Sequence, residues 1–211
     1  MTFLEIANAV QSWAGVDTTR LPTATAKQIV NWVIQDLCRK YNTPWNQEVG
    51  SIAVTAGDDT WTLPAGWKEP YRAYYLDADG NPVLLQYYAS RALFDQDYSP
   101  GAAAATYPEA YTQWWDGLFI RPKLGATVTV YFDYYAFVED LVNDVDANDW
   151  TVYHPQLVIF RALADYVSQF LFEDPRIGVW TARANALEAE FAVQHKRARH
   201  AADRPVTVEQ H

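Results

Sequence analysis

Apolar residues recur at helical spacing near both ends of the chain and at alternating positions in its middle third. From Pro155 to Phe172, PQLVIFRALADYVSQFLF, residues set about 100° apart place Ile159, Phe160, Leu163, Ala164, Tyr166, Val167, Phe170 and Leu171 on one half of a cylinder. Arg161, Asp165, Ser168 and Gln169 fall opposite. The pattern predicts a central core helix, opened by Pro155 and ended by Asp174-Pro175, because a residue before proline is pushed out of the α region. Phe3, Leu4, Ile6, Ala7, Val10 and Trp13 predict a short first helix stopped by Gly15. A second helix, capped by Thr23 or Thr25, aligns Val30, Val33, Ile34, Leu37 and Tyr41, with Asn31, Gln35 and Arg39 on its wet side. Trp32 projects among those polar residues. It is either a lone aromatic covered by a loop or a contact with a neighbouring subunit.

From about Ile52 the period changes from 3.6 to 2. Turn signals stand at Gly57-Asp58-Asp59, Ala65-Gly66, Asp79-Gly80-Asn81-Pro82, Asp116-Gly117 and Lys123-Leu124-Gly125. Strands are predicted at Ile52 to Ala56, Trp61 to Leu63, Arg72 to Leu76, Val83 to Tyr87, Tyr111 to Trp115, Leu118 to Arg121 and Thr127 to Phe137. Ser90 to Gln96 reads as a short helix, and Ser99 to Thr106, with PGAAAAT, as a mobile linker. Glu139 to Asp149 holds five carboxylates and no basic residue, which predicts a solvated acidic connector. A last helix carries a narrow stripe of Trp180, Ala184, Leu187 and Phe191 that fades at Gln194 and His195. Its far end, with Lys196, Arg197, Arg199 and Arg204 and the tail Pro205 to His211, either frays or reaches a partner.

The class this implies is α+β: a bundle of about four helices, two N-terminal and two C-terminal, with an inserted antiparallel β-meander or a small β-barrel or sandwich. The expected divisions are 1–48 for the N-terminal helices, 49–138 for the β domain, 139–203 for the acidic loop and C-terminal hairpin, and 204–211 for a tail.

Composition sharpens this picture. Over 211 residues, 50% hydrophobic and 15% aromatic content suffices for a real core. Sixteen basic against 26 acidic residues give a net charge of −10, which disfavours broad binding to phosphate backbones. One cysteine, Cys38, makes no internal disulfide, and no basic and apolar leader opens the chain, so a cytosolic origin is expected. Arg161 and Asp165 interrupt the most apolar stretch, so no membrane association is expected.

Candidate chemistry is sparse. Asp144, Asp146 and Asn148 match the first three ligands of a calcium loop, but Asp149 stands where glycine is needed and Pro155 where a closing glutamate belongs. The four histidines lack zinc spacing, and no nucleophile elbow, phosphate loop or dinucleotide fingerprint occurs. No catalytic residue, metal or cofactor is expected. The aromatic load of the β region, from Trp61 and Trp67 to Tyr134 and Tyr135, can serve as core, subunit contact or sugar-stacking platform. An aromatic-rich carbohydrate-binding module is therefore the alternative reading.

Four stretches carry a likeness to a known family. They are the Tyr41-Asn42-Thr43-Pro44-Trp45 exit of the second helix, Trp61-Thr62-Leu63-Pro64-Ala65-Gly66, Tyr107-Pro108-Glu109-Ala110-Tyr111 followed by Leu118-Phe119-Ile120-Arg121-Pro122, and Tyr131-Phe132-Asp133-Tyr134-Tyr135. In these, and in element order, the chain resembles the head-to-tail adaptor (head completion, connector) proteins of tailed bacteriophages. The resemblance implies a virion structural protein at the head-tail neck, assembled in the host cytoplasm as a homo-oligomeric ring, usually of twelve copies. The ring would dock on the portal protein, extend the DNA ejection channel and receive tail or nozzle proteins. Genomic DNA would pass through it without specific binding. The helices would form the ring wall and the β region would face the tail. Portal binding would fall to Lys196, Arg197, Arg199, Arg204, Pro205, Val206, Thr207 and Val208, and Trp32 would sit at the subunit interface.

Overall fold

The computed structural model describes residues 1–99, 104–171 and 174–202, and for 196–202 the backbone alone. The chain forms two compact units, one from Met1–Tyr41 and Glu139–His211, the other from Asn42–Val138. The class is α+β, as the pattern implies.

In the helical unit, α1 spans Phe3–Ala14 and α2 spans Thr23–Lys40. Helix α1 opens on a capping box: the Glu5 amide donates to Thr2 Oγ1 at 3.3 Å and the Thr2 amide to Glu5 Oε2 at 2.9 Å. It closes on Gly15, whose φ of 65° favours a residue without Cβ. The cap expected from Thr23 or Thr25 is absent. Pro22 holds the cap position without a side-chain bond, and Thr23 is already helical, its hydroxyl accepting from Gln11.

The predicted core helix is broken. After α4 (Asp149–Tyr153), α5 runs only Pro155–Arg161, then widens into a π-turn over Ala162–Tyr166 and tightens to 3₁₀ over Val167–Gln169. The wide turn adds a residue and rotates the positions C-terminal to it, so Phe170, assigned to the apolar half, is exposed. Phe172 lies outside the described residues. Helix α6, Ile177–Ala202, packs on α5 and the π-turn.

The β unit holds β1 (Gln47–Val54), β2 (Thr60–Thr62), β3 (Trp67–Leu76), β4 (Pro82–Leu84), β5 (Gln86–Tyr88), β6 (Ala110–Trp114), β7 (Gly117–Arg121) and β8 (Val128–Ala136). Between β5 and β6 lies α3 (Arg91–Asp97), capped by Ser90. All the predicted strands form, the fourth as a split pair. Their pairing is not sequential as in a meander. One sheet is ordered β1-β8-β3-β4 and the other β2-β7-β6-β5, with β5 parallel to β6. The alternation in β8 holds: Val130, Phe132 and Tyr134 are buried in a core that both sheets share with Tyr75, Tyr111, Leu118 and Ile120. Of the linker expected to be mobile, residues 100–103 lie outside the described residues.

Candidate functional site

A protein that works by docking must hold apolar or charged groups out of its own core, and four features of this chain are candidates. The first is the far end of α6. Among its described residues Trp180, Ala184, Glu188 and Phe191 are buried, with Leu187, expected in the stripe, only half-buried. The helix continues to Ala202, about three turns beyond Phe191. Lys196, Arg197 and Arg199 belong to that extension; Arg204, Pro205, Val206, Thr207 and Val208 lie outside the described residues.

The root of α6 is held by Glu188, a residue that apolar periodicity passes over. Its carboxylate is buried, accepts from the Tyr41 hydroxyl at 2.7 Å, and pairs with Lys40 and Arg161. Arg161 also donates to Asn185 Oδ1 at 3.0 Å. Three donors from α2 and α5 thus converge on one group of α6. Burial and the hydrogen bond to this carboxylate raise the Tyr41 hydroxyl well above its ordinary range.

The second feature is the acidic segment between the β unit and α4, expected to be a solvated connector. It is instead pinned. The Asn31 side chain donates to Leu141 O at 3.0 Å and accepts from the Leu141 amide at 3.1 Å; Lys27 pairs with Asp144. The amides of Phe3 and Leu4 donate to Asp146 O and Asp144 O at 2.8 and 3.1 Å. Within the loop, Asp146 Oδ2 accepts from the amides of Val142 and Asn143 at 2.9 and 2.7 Å, and these bonds lower its carboxyl below the ordinary range. The carboxylates that suggested calcium ligands are thus committed to the backbone and to Lys27. Among the described residues no three His, Cys, Asp or Glu side chains converge as metal ligands would. Held out on this loop are Val142 and Val145, 74% and 77% exposed.

The third feature is the tip of the β6–β7 hairpin, Trp114-Trp115-Asp116-Gly117. Trp115 has a φ of 57°, in the left-handed region that glycine fills most easily, and its side chain is 82% exposed. A large apolar side chain exposed at a strained backbone position makes this tip a candidate contact surface. Most other aromatics of this unit serve each other. Trp67 stacks on Tyr134 at 4.5 Å, Tyr74 on Tyr131 at 5.4 Å and Tyr75 on Tyr107 at 5.0 Å, while Tyr111 meets Phe132 edge-on at 5.8 Å. Trp67, Tyr75, Tyr134 and Tyr135 of the set that also suggested a sugar platform are buried in the core, while Tyr71, Tyr87, Trp114 and Trp115 are exposed.

The fourth is Trp32, 44% exposed, with its ring 5.6 Å from that of Tyr166 on the π-turn. The Tyr166 hydroxyl donates to Asp36, and burial together with that carboxylate raises it to about 12.

These surfaces hold apolar and charged groups where a partner could meet them, and a family comparison bears on which partners. A family model described as SU10 adaptor protein matches residues 1–209. The chain belongs to this adaptor family. Comparison with curated proteins gives no match. The family is one of phage head-to-tail adaptors, so the adaptor is a structural protein of the virion that interacts with other phage head and tail proteins. Among its described residues no helix is long and apolar enough to cross a membrane.

Proposed function

We propose that the adaptor assembles as a homo-oligomeric ring, twelve copies in the reading its family favours, beneath the portal protein. There it extends the DNA channel and offers the platform on which tail or nozzle proteins dock. The observation that carries this reading is α6, which continues about three turns beyond its last described core residue. A helix that runs on past its described core contacts is suited to reaching another molecule, and basic residues near a helix C-terminus suit acidic partner grooves. Portal binding is accordingly assigned to Lys196, Arg197, Arg199, Arg204 and Pro205 to Val208. Trp32 is assigned to the contact between neighbouring copies, and the net charge of −10 suits a channel along which DNA slides without sticking. Removing residues 202–211 is expected to abolish co-sedimentation with portal rings while leaving the thermal unfolding curve in place. A truncated chain that joins portal rings normally overturns the assignment.

The tail-side platform is assigned to the β unit, with Trp115 as its anchor. Trp115→Gly relieves the left-handed strain and is expected to stabilise the β unit by up to about 1 kcal/mol. The same change is expected to weaken capture of tail protein by assembled necks. Opposite signs in melting and binding separate a contact role from a structural one; loss of stability in this variant would count against it.

A further inference from the structure

The pinned acidic loop and a groove at the other end of α1 are complementary. The groove, 540 Å³, is lined by Trp13, Phe160, Val179 and Trp180, with Arg176 and Arg183 at its edge. Trp13 and Val179 are exposed, and the Trp13 ring meets Phe160 at 5.3 Å, so the helical unit leaves an aromatic-walled slot open. Arg176 is neutralised by Asp174 at 2.7 Å and ties down the carbonyl of Ala14 at 2.8 Å. Arg183 donates to the Gln156 amide oxygen at 3.4 Å and makes no ion pair among the described residues, so it leaves a positive charge at the groove.

The loop carries the matching features. Val142 and Val145 project from a segment with five carboxylates, of which Asp144 has Lys27 as its partner. Its bonds to α1, α2 and itself fix the loop before any partner arrives. Two valines are therefore presented without the ordering cost that a mobile loop pays on binding. No chain can satisfy both features with its own residues. The loop is fastened to the amides of Phe3 and Leu4, the groove includes Trp13, and α1 separates these by about 15 Å.

We propose that Val142 and Val145 of one copy dock in the Trp13–Trp180 groove of the next copy, with Arg183 facing the acidic loop. Two different patches of one chain then meet head to tail, the geometry that closes into a ring when the rotation permits. This rests on the ring reading above and supplies its contact.

The test uses full-length protein, alone and bound to portal rings, with oligomerisation followed by sedimentation. The single native cysteine, Cys38, is buried, so introduced thiols report cleanly. A chain carrying both Val145→Cys and Val179→Cys, treated with a short bismaleimide, is expected to give a ladder of cross-linked chains. An equal mixture of the two single variants is expected to stop at dimers, and Val145→Cys alone to give none. Val142→Asp with Val145→Asp is expected to weaken self-association about a hundredfold with unchanged melting, since both sites are exposed. If the parent chain forms rings while the double-cysteine chain gives no ladder and the aspartate variant assembles normally, the contact is wrong and the ring stands. Cross-links that join only portal or tail subunits, or Val145→Cys homodimers, also overturn it. If the parent chain forms no oligomer alone or on portal rings, the ring reading itself fails, and this contact with it.

Discussion

Glu188→Ala is expected to destabilise the helical unit by about 3 kcal/mol, measured by denaturant unfolding followed through helical circular dichroism. The magnitude depends on which partners are stranded. The Lys40 side chain is 61% exposed and can turn to water, whereas Arg161 is 17% exposed and cannot. Leaving one largely buried cation with only Asn185 and the more distant Asp165 as partners puts the loss at the lower end of what breaking a buried pair costs. The Tyr41 hydroxyl loses its acceptor as well. Changing Arg161→Met together with Glu188→Leu is expected to recover much of the loss, because an apolar pair has no charge to desolvate. Asp165, which loses its 3.5 Å partner Arg161 in that variant, can protonate.

The pH dependence arises from the same contacts. Burial alone would raise the Glu188 carboxyl, but hydrogen bonds from Lys40 and Tyr41 and the charge of Arg161 outweigh it, so its value lies below the ordinary one. A lowered native value gives stability that is complete above the unfolded value, about 4.3, and is lost as the pH falls through the native one. Asp165 acts with the opposite sign. Burial raises its carboxyl despite Arg161, so its contribution is complete at low pH and is lost as the pH rises through the raised value. Glu188→Ala is therefore expected to flatten the acid limb of the stability curve below about pH 4.3. An unchanged limb would mean that other carboxylates, such as Asp174 at about 2, dominate it.

How far this arrangement can be read from sequence varies with the kind of signal. The strands are legible because period 2 leaves its mark on one residue after another, as in Val130, Phe132 and Tyr134. Their order is not, because nothing local in β8 says that it lies between β1 and β3. The π-turn at Ala162–Tyr166 is hidden for a related reason. One added residue inside a broad apolar stripe leaves the composition unchanged, and the rotation shows only where Phe170 emerges into solvent.

The docking features divide in the same way. The fading stripe of α6 is visible because Gln194 and His195 take its positions after Phe191, but Glu188 is not, since its partners Lys40, Tyr41 and Arg161 come from elsewhere in the chain. Five carboxylates in Glu139 to Asp149 argue for solvation when counted. They argue for order once Asp146 is seen capping two amides and Asn31 holding Leu141 at both backbone atoms. For Trp115 the misleading signal is Gly117, the turn's own glycine, because the positive φ falls two residues earlier.

Trp150→Ala is expected to cost the helical unit about 3–5 kcal/mol, the range for emptying a fully buried tryptophan site. Its indole N–H points at Cys38 Sγ, 3.1 Å away on α2, and its ring lies 5.1 Å from Phe191 and 6.1 Å from His154. One side chain thus joins α2, α4 and the last described core residue of α6. The same helix α4 is capped by Asn148 directly after the pinned loop: the Asn148 side chain accepts from the Thr151 amide and the Thr151 hydroxyl from the Asn148 amide. Emptying the site is expected to loosen both the loop that holds Val142 and Val145 and the root from which α6 extends. Stability and self-association should therefore fall together, in contrast to truncation at residue 202, where binding falls alone. Trp150→Phe keeps most of the ring contact and loses the donor, so about 1 kcal/mol is expected there. If Trp150→Ala lost several kcal/mol while rings and portal complexes formed as before at low temperature, the loop and the helix root would be held by their own contacts. The preorganised docking geometry would then owe nothing to this core.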